Sequence, residues 1–156
     1  FKASREEKYI DNYGIGLTRA LYATYLSYLP SSKFAYNIDF HKDSRGIFSE
    51  IIKTNKSGQV SYFTAHKGVT RGGHFHNTKN EKFLVVKGKA LFRFKNRING
   101  EKYELETSDK EPVVVDTVPG WSHDITNIGE EELVVILWAN EVFDKENPDT
   151  YLHKVD

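Results

Sequence analysis

GVTRGGHFHNTKNEKFLVVKG, the run from Gly68 to Gly88, decides how this chain is read. It contains His74, His76, Glu81 and Gly88 in the order HxH-x4-E-x6-G. A second block, PGWSHDITN, runs from Pro119 to Asn127 and carries His123 and Asn127 at the spacing H-x3-N. Side chains alternate across a strand, so His74 and His76 share one face. Glu81, at the start of the next strand, approaches them from a neighbouring ladder. A loop near Pro119 and Gly120 delivers His123. Three imidazoles and one carboxylate suit a divalent first-row metal, and His74, His76, Glu81 and His123 are the predicted ligands.

Working outward, the signals from Phe34 onward are those of strands. Gly46–Lys53 alternates, with Phe48 and Glu50 on one face, and residues 60–66 alternate as well. In residues 89–95, Ala90, Phe92 and Phe94 face one way and Lys89, Leu91, Arg93 and Lys95 the other. Gly88 separates two strands. Asn99-Gly100 predicts a two-residue type I′ hairpin turn. Val113–Val118 and Leu133–Trp138 are apolar runs of the kind that strands buried on both faces show. Short strands with frequent turn signals predict a sandwich or barrel. Ahead of them, Asp11–Leu29 reads as a helix, with Leu17, Leu21, Tyr25 and Leu29 four residues apart, ended by Pro30. Residues 1–32 are therefore expected to be a helical segment and 33–156 a β domain. The polar stretch Asp144–Asp149 is expected to wrap the surface.

Composition excludes several classes. Acidic and basic residues balance at 22 each, and no basic run tracks a phosphate backbone, so nucleic acid is not an expected partner. Cysteine is absent, which leaves only imidazole and carboxylate to hold a metal. No apolar stretch is long enough to span a bilayer and no signal-peptide pattern opens the chain, so a cytoplasmic location is expected. No G-x-G-x-x-G follows a strand, so no NAD(P) site is expected in this chain.

The two histidine blocks resemble the cupin motifs, although many cupins read P-x-G where this chain has Pro119 directly against Gly120. That resemblance implies an all-β fold, a cupin double-stranded β-helix (jelly-roll barrel) with an N-terminal helical segment. Asp43–Glu50 (DSRGIFSE) and Gly68–His74 (GVTRGGH) are similar to segments of the dTDP-4-dehydrorhamnose 3,5-epimerases. Carried over by position, Arg45, Phe48, Glu50 and Arg71 become nucleotide-sugar contacts. His74 then stands both where those epimerases keep their base and where a cupin keeps a ligand. A metal-bound nitrogen cannot also accept a proton, so His66, just ahead of the motif, is carried beside His74 as a candidate catalytic residue.

Taken whole, the chain resembles the C-terminal half of the CapF-type bifunctional capsule-polysaccharide enzymes. RGIFSEIIKT at Arg45–Thr54, KNEKFLVVKGKA at Lys79–Ala90, WANEVFD at Trp138–Asp144 and NPDTY at Asn147–Tyr151 carry the likeness. The resemblance implies a zinc-bearing cupin that epimerises a UDP-4-keto-6-deoxy-N-acetylhexosamine at C3, in the synthesis of UDP-N-acetyl-L-fucosamine for capsular polysaccharide. It implies an upstream short-chain-dehydrogenase domain that performs the NADPH reduction. A chain that opens at Phe1, without methionine, on a helix end fits that expectation. A homodimer is also expected. Two alternatives stay open at this point: a non-catalytic, metal-stabilised nucleotide-sugar-binding or assembly domain, and a different metal-dependent cupin isomerase or oxygenase.

Overall fold

The computed structural model describes residues 1–156. Two short helices, α1 (Lys2–Glu6) and α2 (Gly16–Ser27), flank β1 (Tyr9–Ile10). Eleven further strands follow: β2 (His41–Asp43), β3 (Gly46–Thr54), β4 (Gln59–Ala65), β5 (Thr70–Phe75), β6 (Glu81–Lys87), β7 (Lys89–Asn96), β8 (Lys102–Ser108), β9 (Val114–Asp116), β10 (Trp121–Asn127), β11 (Leu133–Ala139) and β12 (Tyr151–Leu152). One sheet runs β1-β3-β4-β11-β6-β9, with β2 on the side of β3. The other runs β12-β5-β10-β7-β8. They pack face to face as an open β-sandwich rather than one closed ladder.

The core is the alternating inward set that the strand pattern predicts. Phe63, Phe83, Val85, Ala90, Phe92, Phe94, Ile125, Leu133, Val135 and Leu137 are all buried in one cluster. Gly88 is the corner where the chain leaves one sheet and enters the other, between β6 and β7.

Several expectations change. The helix is shorter than Asp11–Leu29. Ile15 is extended and Gly16 takes a φ of 59°, so the glycine pair delays the start. None of its residues is buried, and Tyr13 and Tyr22 stack at 4.1 Å on its flank. The N-terminal segment is tied to the sheet, because Tyr9 and Ile10 pair in parallel with Lys53 and Thr54. The Asn99-Gly100 turn is not type I′. Only Gly100 has positive φ, and the loop spans residues 97–100, with the Asn96 side chain accepting the amide of Ile98. The two apolar runs are not buried on both faces. In β9 only Val115 is buried, and Val114 is 58% exposed on an edge strand. In β11 Leu133, Val135, Leu137 and Ala139 point inward while Val134, Ile136 and Trp138 form an outer apolar face.

Candidate metal centre

The four predicted ligands converge at one end of the sandwich. His74 lies near the end of β5 with His76 just beyond it, Glu81 opens β6, and His123 is carried by β10 itself rather than by the loop before it, directly across from His74. Their ligating atoms all lie within 4.8 Å of one another. The strands come this close because Gly72 carries no side chain. It has a φ of 92°, and a Cβ there would sit 2.9 Å from the His123 carbonyl oxygen.

Three of the four ligands are held from behind. His76 Nδ1 lies 2.6 Å from the carbonyl oxygen of Asp149. A carbonyl only accepts, so Nδ1 carries the proton and Nε2 is the free nitrogen of a neutral ring. That Nε2 faces a carboxylate oxygen of Glu81 at 3.2 Å. Two acceptors facing each other call for a cation between them. His123 Nδ1 is 3.4 Å from the Trp121 carbonyl, and its Nε2 is buried without any partner. A buried nitrogen left unpaired is unfavourable by about 1–3 kcal/mol. The Glu81 amide is fixed by Thr117 Oγ1 at 2.8 Å. The donor set, the aimed lone pairs and the orphaned Nε2 fit a divalent metal such as zinc.

The electrostatics agree with neutral imidazoles. Burial, and then the charge of neighbouring His76, push His74 down to about 4. Burial and neighbouring His74 push His123 down to about 3. Burial opposes ionisation of Glu81, but the neighbouring His76 ring and the charge of Lys79 outweigh it, and the carboxyl is held below its ordinary value. Deprotonated ligands are what metal binding requires.

His74, Glu81 and His123 line a cavity of about 180 Å³ that adjoins a wider cleft of about 570 Å³. Arg45, Phe48, Arg71 and His74 line both, and Glu50 lines the wider cleft. The cleft thus brings together all four residues carried over as nucleotide-sugar contacts. Arg45 is forked onto the Asp43 carboxylate, with Nη2 to Oδ2 at 2.6 Å, and this guanidinium holds the Asp43 carboxyl at about 2. Arg71 donates to the Thr64 carbonyl at 2.9 Å and lies over the Phe63 ring. Burial and the like charge of Arg45 lower its affinity for its proton. Glu50 is paired with Lys53 at 2.7 Å.

His66 is not brought to the cavity. It is half-exposed just beyond β4, 3.3 Å from Glu132. Asp124 does not partner an imidazole. It is buried and takes both forks of Arg93, at 2.9 and 2.6 Å. Trp121 packs against the core and lines a groove apart from the metal cavity. Asn127 holds loop backbone, as its spacing predicts, through the Ala65 and Glu131 carbonyls and the Gly129 amide. Sequence reasoning missed Asp149 as a supporting residue and Lys79, which is buried 3.9 Å from Glu81 at the cleft wall. Lys79 stands inside the motif itself, so proximity to Glu81 was an available signal. Asp149 offered none, because its partners lie some seventy positions earlier in the chain.

No helix is long and apolar enough to cross a membrane. The family described as "Polysaccharide biosynthesis C-terminal domain" matches residues 41–151. Among curated proteins, the chain is 58% identical over 151 residues to the UDP-2-acetamido-2,6-beta-L-arabino-hexul-4-ose reductase of Pseudomonas aeruginosa, covering 97% of this chain and 41% of that protein. Among solved structures, the capsular polysaccharide assembling protein CapF of Staphylococcus aureus superposes with a TM-score of 0.96 at 44% identity, over 99% of this chain and 42% of that one. The cupin domain of Drosophila melanogaster CENP-C, at 12% identity, matches with a TM-score of 0.55 over 66% of this chain and 70% of that one, a likeness of fold alone. The chain thus spans about two fifths of the length of the first two relatives.

Proposed function

The chain belongs to the polysaccharide biosynthesis C-terminal domain family, as a CapF-type cupin domain, and we propose that it epimerises C3 of a UDP-4-keto-6-deoxy-N-acetylhexosamine on the way to a capsular sugar. One observation carries the proposal. A metal-competent set, His74, His76, Glu81 and His123, sits in a cavity whose mouth carries two guanidinium groups. The similar Pseudomonas protein is named for a 4-ulose reductase. The reduction is assigned to the part of such proteins that this chain does not span.

Epimerisation beside a ketone needs a base for the C3 proton, stabilisation of the developing oxyanion, and an acid on the opposite face. When bound, zinc supplies a Lewis acid for the C4 oxygen. Arg45 and Arg71 hold the diphosphate, since a guanidinium fork matches phosphate oxygens. Phe48 and Glu50 hold the base or sugar against the wall of the wider cleft. His66 lies outside the cavity, and His74 is committed to the ligand set. The proton is therefore carried by titratable groups that face the cleft, of which His41, Glu50 and Lys79 are available. The proposal includes a homodimer through the outer face of the first sheet. There Tyr62, Ile136, Leu84 and Val114 stand in register across four strands as one apolar row.

Proton NMR in D2O of the 4-keto sugar nucleotide tests the reading. The expected result is loss of the C3 proton signal with the metal-loaded chain, no loss after chelation, and recovery on adding zinc. Equal exchange in chelated and loaded samples would reject the metal's role. Absence of exchange in both would reject the epimerase.

A further inference from the structure

The C-terminal segment from Pro148 to Asp156 lies along the edge of β5, the strand that carries His74 and leads into His76. Tyr151 pairs with Phe75 and Leu152 with His74, and the His153 amide donates to the Gly73 carbonyl. Farther on, His153 Nδ1 is 2.6 Å from the buried Ser122 hydroxyl, Val155 is buried, and Arg93 and Lys95 hold Asp156. At the near end one residue does two things. The Asp149 carboxylate accepts the amides of Asn77, Thr78 and Lys79 at 3.0, 2.8 and 2.7 Å, and the Thr78 hydroxyl at 3.2 Å. Its carbonyl accepts His76 Nδ1 at 2.6 Å.

Two details make this more than a surface clasp. Asp149 adopts a φ of 40°, in the left-handed region that an Asp tolerates and most side chains do not. That conformation turns its carboxylate to one set of donors and its carbonyl to another. The turn it grips, residues 77–79, lies between His76 and Glu81. One residue therefore fixes the ring orientation and tautomer of one ligand and the path of the backbone to the next.

We propose that Asp149 is the positioning residue of the metal centre, and that the C-terminal segment sets metal affinity through it. The inference rests on the reading of His74, His76, Glu81 and His123 as a metal site. A supporting partner of a ligand histidine is worth tenfold to a hundredfold in metal affinity.

The test compares Asp149→Gly with Asp149→Asn. Glycine keeps the carbonyl and accepts the positive φ, but loses the carboxylate. Asparagine accepts the φ and retains one acceptor oxygen. Zinc affinity is read by competition with a chromophoric chelator, and site geometry by the visible spectrum of the cobalt-loaded chain. The expected result is at least about tenfold weaker zinc binding and an altered cobalt spectrum in Asp149→Gly. Asp149→Asn is expected to recover part of both, and Lys95→Ala, which loosens only the far end of the segment, to bind zinc as the parent does. The inference is overturned by unchanged affinity and spectrum in Asp149→Gly alongside an equal fall in melting temperature of the metal-free and loaded forms. It is also overturned by Asp149→Asn binding as weakly as Asp149→Gly. A parent chain that binds no zinc would instead reject the metal reading itself.

Discussion

Stripped of metal, the chain should lose stability as the pH falls from 7 to 5. His74 and His123 ordinarily titrate near 6.5 but are pushed in the folded chain to about 4 and about 3, chiefly by burial. Their folded values are depressed, so below pH 6.5 the unfolded chain takes up protons that the folded chain refuses. Stability is full above the unfolded value and drains away as pH drops towards the folded one. Linkage gives a loss of about 2 kcal/mol per imidazole between pH 7 and pH 5, about 4 kcal/mol if the two titrate independently. Mutual repulsion between them couples the titrations and spreads the loss. For a chain of this size that is a fall of about 8–15 °C in melting temperature. Glu81 and Asp43 act in the same direction, but at lower pH. Their folded values lie below the ordinary carboxylate range, so their contributions are lost only at lower pH. The assay is urea unfolding with a chelator present, at steps between pH 7 and 5, for the parent and for His123→Asn. The variant should lose about half of the pH-dependent part. A parent that loses less than about 1 kcal/mol over this range, or a variant with the full slope, would refute the assignment of buried neutral imidazoles.

Other substitutions probe the frame and the cleft. Asn127→Ala removes three backbone hydrogen bonds made by a side chain only 1% exposed, and should lower stability by about 2–4 kcal/mol in urea unfolding. Gly72→Ala forces a Cβ to within 2.9 Å of the His123 carbonyl at a φ of 92°, and should both destabilise the chain and weaken zinc binding, read by melting and by chelator competition. Arg45→Ala and Arg71→Ala should each weaken UDP binding about tenfold in calorimetry, with Arg71→Ala also lowering the melting temperature because Arg71 ties Thr64 to the cleft wall. Ile136→Lys should dissociate the proposed homodimer in light scattering while leaving the circular dichroism spectrum unchanged.

The part of the site that sequence makes legible is the part set by local spacing. His74, His76 and Glu81 are fixed by strand alternation and one short turn, and His123 and Asn127 by their spacing along one strand. The core followed from alternation in β7. What escaped depends on contacts that spacing does not encode. Asp149 meets its partners only because the tail returns along β5. Asp124 is buried only because Arg93 on the neighbouring strand reaches it. The misread apolar runs have a physical cause as well. Val134, Ile136 and Trp138 are apolar although they face away from the core, so β11 mimics a strand buried on both sides. An outer apolar face is what the proposed dimer would cover, and periodicity within one chain cannot separate the two kinds of burial.

The metal centre is also where the chain departs from the rule that buried polar groups find partners. The unpartnered Nε2 of His123 and the Nε2 of His76 set against the Glu81 carboxylate are unfavourable on their own. A chain relaxed around its own hydrogen bonds would turn these rings away. Here it is prevented, because Trp121 and Asp149 hold the far nitrogens and Thr117 holds the Glu81 backbone. Strands that carry the ligands are locked in turn by the Gly72 crossing and by the tail along β5. The restraint is supplied by residues outside the cleft, so Arg45, Phe48 and Arg71 can vary with substrate while the cation site stays the same. Under the proposed function, that division puts affinity for the metal in the frame and recognition of the sugar nucleotide in the mouth.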